Sequence, residues 1–171
     1  MLIRLSEIDD TLLVKGSMEA SRFMEVENRE FRITKPVHYT LTVKKFDNLL
    51  TIAGPISYEA FFTCGRCLEE FSRSVTLDMN IRLTPKIKTP QPSEFELKDE
   101  DMDVYYYEGD EIDLDPFIYE EILLDMPPRP VCSENCKGLC GICGKNKNLE
   151  TCDCHEISHT LLGEKLKSFL N

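Results

Sequence analysis

Eight cysteines occur in 171 residues, and their spacing is the strongest chemical signal in the chain. One pair stands as Cys64-Gly65-Arg66-Cys67, and six more follow in the tail as Cys132, Cys136, Cys140, Cys143, Cys152 and Cys154. Cysteines used as small buried apolar side chains would be scattered, whereas these cluster among Gly, Lys and Asn. Thiolates sharing a divalent cation cluster in this way. Tetrahedral zinc holds its sulfurs at about 2.3 Å, so a two-residue spacer must fold into a turn that aims both inward. Cys140-Gly141-Ile142-Cys143-Gly144-Lys145 has the composition of such a zinc knuckle. Gly141 and Gly144 permit the turn, and backbone N–H groups there can donate to sulfur.

The turn expected at residues 146–149 brings Cys152 and Cys154 back as a second ligand pair, although Cys-x-Cys is a less common ligand spacing and needs its own tight bend. Two groupings of the eight thiols are open. One joins Cys140, Cys143, Cys152 and Cys154 in a self-contained finger and leaves Cys64, Cys67, Cys132 and Cys136 as a second tetrad. The other joins Cys132, Cys136, Cys140 and Cys143, and leaves Cys64, Cys67, Cys152 and Cys154. The first is preferred, because it closes the finger locally and ties the long loop and helix back to the Cys64/Cys67 hairpin tip. Zinc, one ion per tetrad and two per chain, is the expected cofactor. Four thiolates would also suit an iron–sulfur cluster, and a redox Cys-x-x-Cys would need a βαβ context that the pattern does not offer.

A second motif invites a catalytic reading. His155-Glu156-Ile157-Ser158-His159 matches the pattern in which two His one helical turn apart bind zinc and a Glu activates water. The pattern is short, lies directly against Cys154, and is followed by Glu164 as the one carboxylate available for a third ligand. A zinc-dependent hydrolase is therefore the alternative, and solvent-facing histidines at the start of a terminal helix are the preferred reading. His38, on the polar side of a strand, reads as a surface residue. No phosphate-binding glycine loop or nucleophile elbow is present, and catalytic residues are not expected.

The formal net charge is −11, and residues 94–125 hold 14 acidic side chains against one base, Lys98. The rest of the chain is close to neutral. Such a field does not draw nucleic acid as a whole, which requires Lys and Arg to displace counterions; a basic protein partner suits it better. The amino terminus meets charge at Arg4 and Glu7, and no apolar run approaches the length of a membrane span. The expected location is the cytoplasm, with no membrane and no small-molecule substrate. Thiols stay reduced there, and an even cysteine count reads as metal ligands before disulfides.

The elements that must position the thiols follow from periodicity. Residues 37–46 alternate Val37, Tyr39, Leu41 and Val43 against polar neighbours, as a half-buried strand does. Asp47-Asn48 offers a tight turn, so residues 49–53 run back antiparallel. After Gly54-Pro55 a further strand carries Ile56, Tyr58, Ala60, Phe62 and Cys64 on one face. Phe71, Val75, Leu77, Met79, Ile81 and Leu83 do the same on the other side of the Cys64/Cys67 tip. Residues 84–103, with three prolines and then an acidic run, read as a mobile surface loop. Asp115-Pro116 starts a helix, with Asp115 as the capping carboxylate, and Pro127-Pro128 ends it; Phe117, Ile118, Ile122 and Met126 would dock on the sheet. Leu161, Leu162, Leu166, Phe169 and Leu170 recur at helical spacing. Within the first 36 residues, residues 2–8 read as a strand and residues 17–24 as a helical turn. The fold class is α+β: a mainly antiparallel sheet with a packed helix, then a zinc-ribbon-like finger and a short helix. Two domains are expected, a β-rich one over residues 1–130 and a zinc-binding, cysteine-rich tail over residues 131–171.

The Cys-x-Arg-Cys-Leu pair on a hairpin, the acidic stretch, a degenerate Ile-x-Leu-x-Pro-x-x-Pro helix over residues 113–130, and Cys-x-x-x-Cys-Lys-Gly-Leu-Cys-x-x-Cys-Gly-x-Asn together resemble the bacterial YceD family, the large ribosomal RNA subunit accumulation proteins. The resemblance runs from about Leu41 to Cys154, and Cys136-Lys137-Gly138-Leu139-Cys140 is its most specific part. One departure is Lys147, where the family pattern has Leu between two Asn. The resemblance implies a cytoplasmic, non-enzymatic factor for normal accumulation of large-subunit ribosomal RNA. Such a factor acts by binding, offering the acidic stretch to a basic ribosomal protein or a large-subunit assembly intermediate. The finger, with Lys137, Lys145 and Lys147, would contact ribosomal RNA or another factor. A general protein-interaction or metal-storage module is the remaining alternative.

Overall fold

The computed structural model describes residues 1–23, 31–86 and 104–154. The terminal helix expected around Leu161 to Leu170, most of the proline-rich and acidic loop, and the His155-Glu156-x-x-His159 motif lie outside the described residues.

Strands dominate, and their registers explain why. β4 (Val37–Phe46) and β5 (Leu49–Thr63) form the antiparallel hairpin expected from Asp47-Asn48, closing at Phe46↔Leu49 with Asp47 at φ 54°. Gly54-Pro55 does not divide β5 into two strands, contrary to the sequence reading. Leu50, Ile52, Ile56, Tyr58, Ala60, Phe62 and Cys64 are all buried, so period two runs unbroken through the Gly-Pro step. Pro55 can give no ladder hydrogen bond, and the register nonetheless carries from Thr42↔Ala53 to Tyr39↔Ile56 without a bulge. Gly54 is required by crowding, because a Cβ there would lie 2.2 Å from the Thr40 carbonyl oxygen of β4.

β2 (Thr11–Met18) pairs antiparallel with β4 over its whole length, from Thr11↔Lys44 to Met18↔Val37. Ser17 and Met18 are thus strand residues, and the helical turn comes later, as a 3₁₀ segment at Ala20–Phe23. β3 (Phe31–Ile33) pairs with the far end of β5, Phe31 opposite Phe62. β6 (Glu70–Pro85) lies on the other side of β5, and the sheet runs β2-β4-β5-β6-β7. β7 (Val104–Tyr107) joins β6 in parallel, Leu83 opposite Tyr105, which makes the sheet mixed rather than wholly antiparallel. The expected amino-terminal strand is short: β1 (Leu2–Arg4) gives way to a 3₁₀ turn at Leu5–Glu7. Its antiparallel partner is β8 (Glu111–Asp113), in a separate two-stranded sheet.

One α-helix occurs among the described residues, α1 (Asp115–Asp125), with a proline in its first turn as expected. The capping residue is Leu114 rather than Asp115. Asp115 instead pairs with Arg22 and the amino-terminal ammonium, and its own backbone N–H is taken by Asp113 Oδ1 at 3.2 Å. Ile118 and Ile122 are fully buried, and the Phe117 and Tyr105 rings meet in a T-shaped contact with centroids 5.1 Å apart. Tyr58 Oη donates to Asp125 Oδ2 at 2.7 Å, which joins the last turn of α1 to β5. The described chain is thus mainly strand with one helix, and no described helix is long and apolar enough to cross a membrane.

The chain divides into two compact units. One contains Met1–Phe62 and Ser72–Pro128; the other gathers the hairpin tip Thr63–Phe71 with the chain from Arg129 onward.

Candidate metal centres

All eight cysteines lie in the second unit, and they converge into two groups of four. Cys64, Cys67, Cys132 and Cys136 form one, and Cys140, Cys143, Cys152 and Cys154 the other; within each, the sulfurs all lie within 4.8 Å of one another. This is the first of the two groupings considered above. All eight thiols are free.

Each tetrad starts from a knuckle, and the two knuckles share one hydrogen-bond frame. The Leu68 N–H reaches the Cys64 carbonyl at 2.9 Å, as the Gly144 N–H reaches the Cys140 carbonyl at 2.9 Å. The Cys64 N–H reaches Glu69 O at 2.9 Å, as the Cys140 N–H reaches Lys145 O at 2.8 Å. The residue after the second cysteine is left-handed in both, Gly144 at φ 73° and Leu68 at φ 61°. Glycine meets that demand freely, whereas leucine must absorb a torsional cost. Gly141, by contrast, has no positive φ and open space where a Cβ would stand, so Gly144 alone carries the turn requirement assigned to both.

In the first tetrad, two sulfur–sulfur distances match those of a tetrahedral metal site. A zinc–sulfur distance of about 2.3 Å requires sulfurs roughly 3.8 Å apart. Cys64 Sγ and Cys136 Sγ lie 3.8 Å apart, and Cys67 Sγ and Cys132 Sγ 3.7 Å apart. Those gaps are far beyond the roughly 2.05 Å of a disulfide. The four-sulfur set is a soft donor set that suits zinc or an iron–sulfur cluster.

Backbone donors surround the sulfurs. Cys64 Sγ accepts from the N–H of Cys132 at 3.4 Å and of Arg66 at 3.5 Å. Burial pushes the Cys64 thiol up, but the N–H groups of Cys132, Cys67 and Arg66 outweigh it and bring its pKa down to about 6. The N–H groups of Cys143 and Ile142 likewise hold Cys140 at about 6. In each tetrad another thiol moves the opposite way. Cys136, and then burial, raise Cys132 to about 12; Cys143, and then burial, raise Cys154 to about 12. Four thiolates in one cage repel one another, and only a cation makes their joint ionisation favourable.

The two sites differ in their surroundings. Cys64, Cys67 and Cys136 are buried and form a small apolar cluster with Phe71 and Val131 packed against it. In the second tetrad Cys140 is buried, but Cys143 is exposed and Cys152 and Cys154 are half-buried.

Three residues other than the cysteines build the cages, and spacing alone does not mark them. Arg66 Nη1 donates to the carbonyls of Glu134 at 2.9 Å and Cys136 at 3.2 Å, so the arginine of the first knuckle clasps the loop that carries the opposing thiols. Gly138, at φ 71°, allows the Leu139 N–H to reach Arg66 O at 3.0 Å. Asn148 donates from Nδ2 to Cys136 Sγ at 3.3 Å. All three stand at positions of the motifs that carry the resemblance, which mark them as residues but not by role. Lys147, the departure from the family pattern, contributes its backbone N–H to Gly138 O at 2.9 Å, a bond open to any non-proline residue. His38 is exposed on β4, as expected.

The chain is similar to an uncharacterized protein of Mycobacterium leprae (strain TN), ML1660, with 27% identity over 116 residues that make up 67% of this chain and 51% of the relative. It therefore spans about half the length of the curated relative it matches. No solved structure matches it. The family model described as large ribosomal RNA subunit accumulation protein YceD matches residues 52–169. That span starts later than the motifs suggested, at Ile52, and extends past Cys154 to Phe169. It takes in all eight cysteines and well over half of the chain, and on that match the protein belongs to the YceD family.

Proposed function

We propose that this protein promotes accumulation of large-subunit ribosomal RNA by binding within the assembling large subunit, with two zinc ions as fixed structural parts. The observation that carries the reading is the convergence of eight thiols into two four-sulfur cages in a chain of this family. The eight cysteines are the ligands, and residues 140–154 make a zinc-ribbon-like finger within a cysteine-rich tail domain that follows a β-rich α+β domain. A site closed by four protein sulfurs keeps no open position for water or substrate, so the metal supplies rigidity rather than catalysis. The protein acts in the cytoplasm as a non-enzymatic factor, where reduced thiols remain available to zinc.

Charge favours a basic ribosomal protein, or an assembly intermediate that exposes one, as the partner. Fewer carboxylates are available than the count suggests. Glu111 is paired with Arg4 at 2.9 Å, Glu108 with Lys86 at 2.8 Å, Asp113 with the amino terminus at 2.7 Å, Asp115 with Arg22, and Asp125 with the Tyr58 hydroxyl. Glu120 on α1 is exposed, and Glu121, beside it, is raised by burial and by Glu120. On the finger, Lys145 lies 3.3 Å from Glu150. Lys137, Lys145 and Lys147 therefore add only a modest contact to ribosomal RNA, and the protein contact is the main one.

Sedimentation profiles and precursor RNA of a deletion strain test the reading. The expected result is a depleted large-subunit peak with unprocessed precursor, restored by the wild-type gene and not by one with Cys64 and Cys140 changed to Ser. An unchanged peak and unchanged precursor would overturn it.

A further inference from the structure

A side chain carried on the finger loop reaches the other four-sulfur cage. Asn148 belongs to the finger, in the loop between the Cys140/Cys143 pair and the Cys152/Cys154 pair, yet its carboxamide faces the other cage. Its Nδ2 donates to Cys136 Sγ at 3.3 Å, and its Oδ1 accepts the Lys137 N–H at 2.8 Å. That N–H can be met only by oxygen, which fixes the amide orientation and leaves nitrogen toward the sulfur. Asn146 braces it from behind: its Oδ1 accepts from the Asn148 N–H at 3.0 Å and from Nδ2 at 2.8 Å. Asn146 in turn donates from Nδ2 to Glu69 Oε1 at 3.3 Å, two residues beyond Cys67 of the first cage. The loop is also held through the Lys147 N–H on Gly138 O at 2.9 Å.

We propose that Asn148 is a positioning residue that couples the two metal sites, so that filling either one raises the affinity of the other. The inference rests on reading both tetrads as metal sites. Metal in the finger pins both ends of the loop, at Cys143 and at Cys152, and so holds the carboxamide against Cys136. A hydrogen bond to a ligand sulfur favours its charged, metal-binding form and orients it. The same loop is held by metal in the first cage, which fixes Cys136 as its anchor. Linkage requires the two effects to be equal.

The test titrates the full-length, metal-stripped chain with Co²⁺, following thiolate-to-cobalt charge-transfer absorption, with zinc affinities from chelator competition. Four proteins are compared: wild type, Asn148→Ala, a finger variant carrying Cys143→Ser and Cys152→Ser, and the combination of all three changes. The finger variant should bind its remaining ion about 10- to 100-fold more weakly than the wild-type first site, the range typical of lost outer-shell contacts. Asn148→Ala should weaken the first site to a similar degree and move its charge-transfer band to lower energy, because the sulfur loses a hydrogen bond. The combination should lose no more than the finger variant and show no further band shift. Additive losses, or an Asn148→Ala band identical to wild type, would overturn the coupling while leaving the metal reading intact. A wild-type chain that takes up neither cobalt nor zinc would bring down the metal reading and the coupling together.

Discussion

Replacing Gly138 by alanine perturbs the first cage without touching a ligand, and the geometry sets the size of the effect. Gly138 sits at φ 71°, where an L side chain costs roughly 1 to 2 kcal/mol. The new Cβ would lie 2.9 Å from Arg66 O, closer than real contacts allow, and that oxygen is backbone. Arg66 O also accepts the Leu139 N–H at 3.0 Å, so moving aside weakens a hydrogen bond worth about 1 kcal/mol. The sum is about 2 to 3 kcal/mol, borne by the metal-bound form because the metal-free loop can relax. At 1.4 kcal/mol per factor of ten, zinc should bind the first tetrad roughly 30- to 140-fold more weakly. Competition with a chromophoric chelator measures this directly, and two other glycines supply the controls. Gly144→Ala, at φ 73° with nothing within 4 Å, should carry only the torsional cost and act on the finger site. Gly141→Ala should be silent. Wild-type zinc affinity in Gly138→Ala, or an equal loss in Gly141→Ala, would rule out this role for Gly138.

Three further outcomes are expected. Leu68→Gly should strengthen the first site, by up to about 1 kcal/mol, because the knuckle holds Leu68 at φ 61° and its side chain is 63% exposed, so little burial is lost; chelator competition and thermal unfolding of the zinc-loaded chain check it. Arg66→Lys should weaken the first site by about tenfold, since an ammonium cannot reproduce the guanidinium's reach to both Glu134 O and Cys136 O; stepwise zinc release follows that site. In the metal-free chain, Cys64 and Cys140 have folded pKa values depressed to about 6, so the stability they contribute is fully present above the ordinary thiol range and is lost as pH falls toward 6. Cys132 and Cys154, raised to about 12, act with the opposite sign and lose their contribution as pH rises toward 12. Urea midpoints across pH should fall on both sides, and zinc affinity should rise with pH because those raised thiols must release protons to bind.

Much of this molecule was legible from local pattern. The period-two burial of Val37, Tyr39, Leu41 and Val43, the Asp47-Asn48 turn and the proline start of α1 each depend on neighbours a few residues apart, which a sequence displays. The same holds for the thiols: a Cys-x-x-Cys spacing followed by glycine already encodes the turn of a knuckle. A local signal misleads where its partner lies far along the chain. Gly54-Pro55 looks like a break until β4 is seen to supply the register and the crowding carbonyl of Thr40. Leu68 hides a left-handed turn because leucine does not advertise one, and the strands at Val104–Tyr107 and Glu111–Asp113 are short segments whose partners lie about 20 and over 100 positions earlier.

Tertiary structure alone decided which thiols share a cage. Sequence spacing allowed two groupings, and only the folded positions of Cys132 and Cys136 against the hairpin tip select one. It also brought Arg66 and Asn148 to their tasks across 68 and 12 residues of chain. Sequence by itself determines donor chemistry and local turn geometry, because both are short-range. The identity of the cages, and the finger-loop side chain on Cys136, depend on loop closure between distant residues, which has no short-range signature.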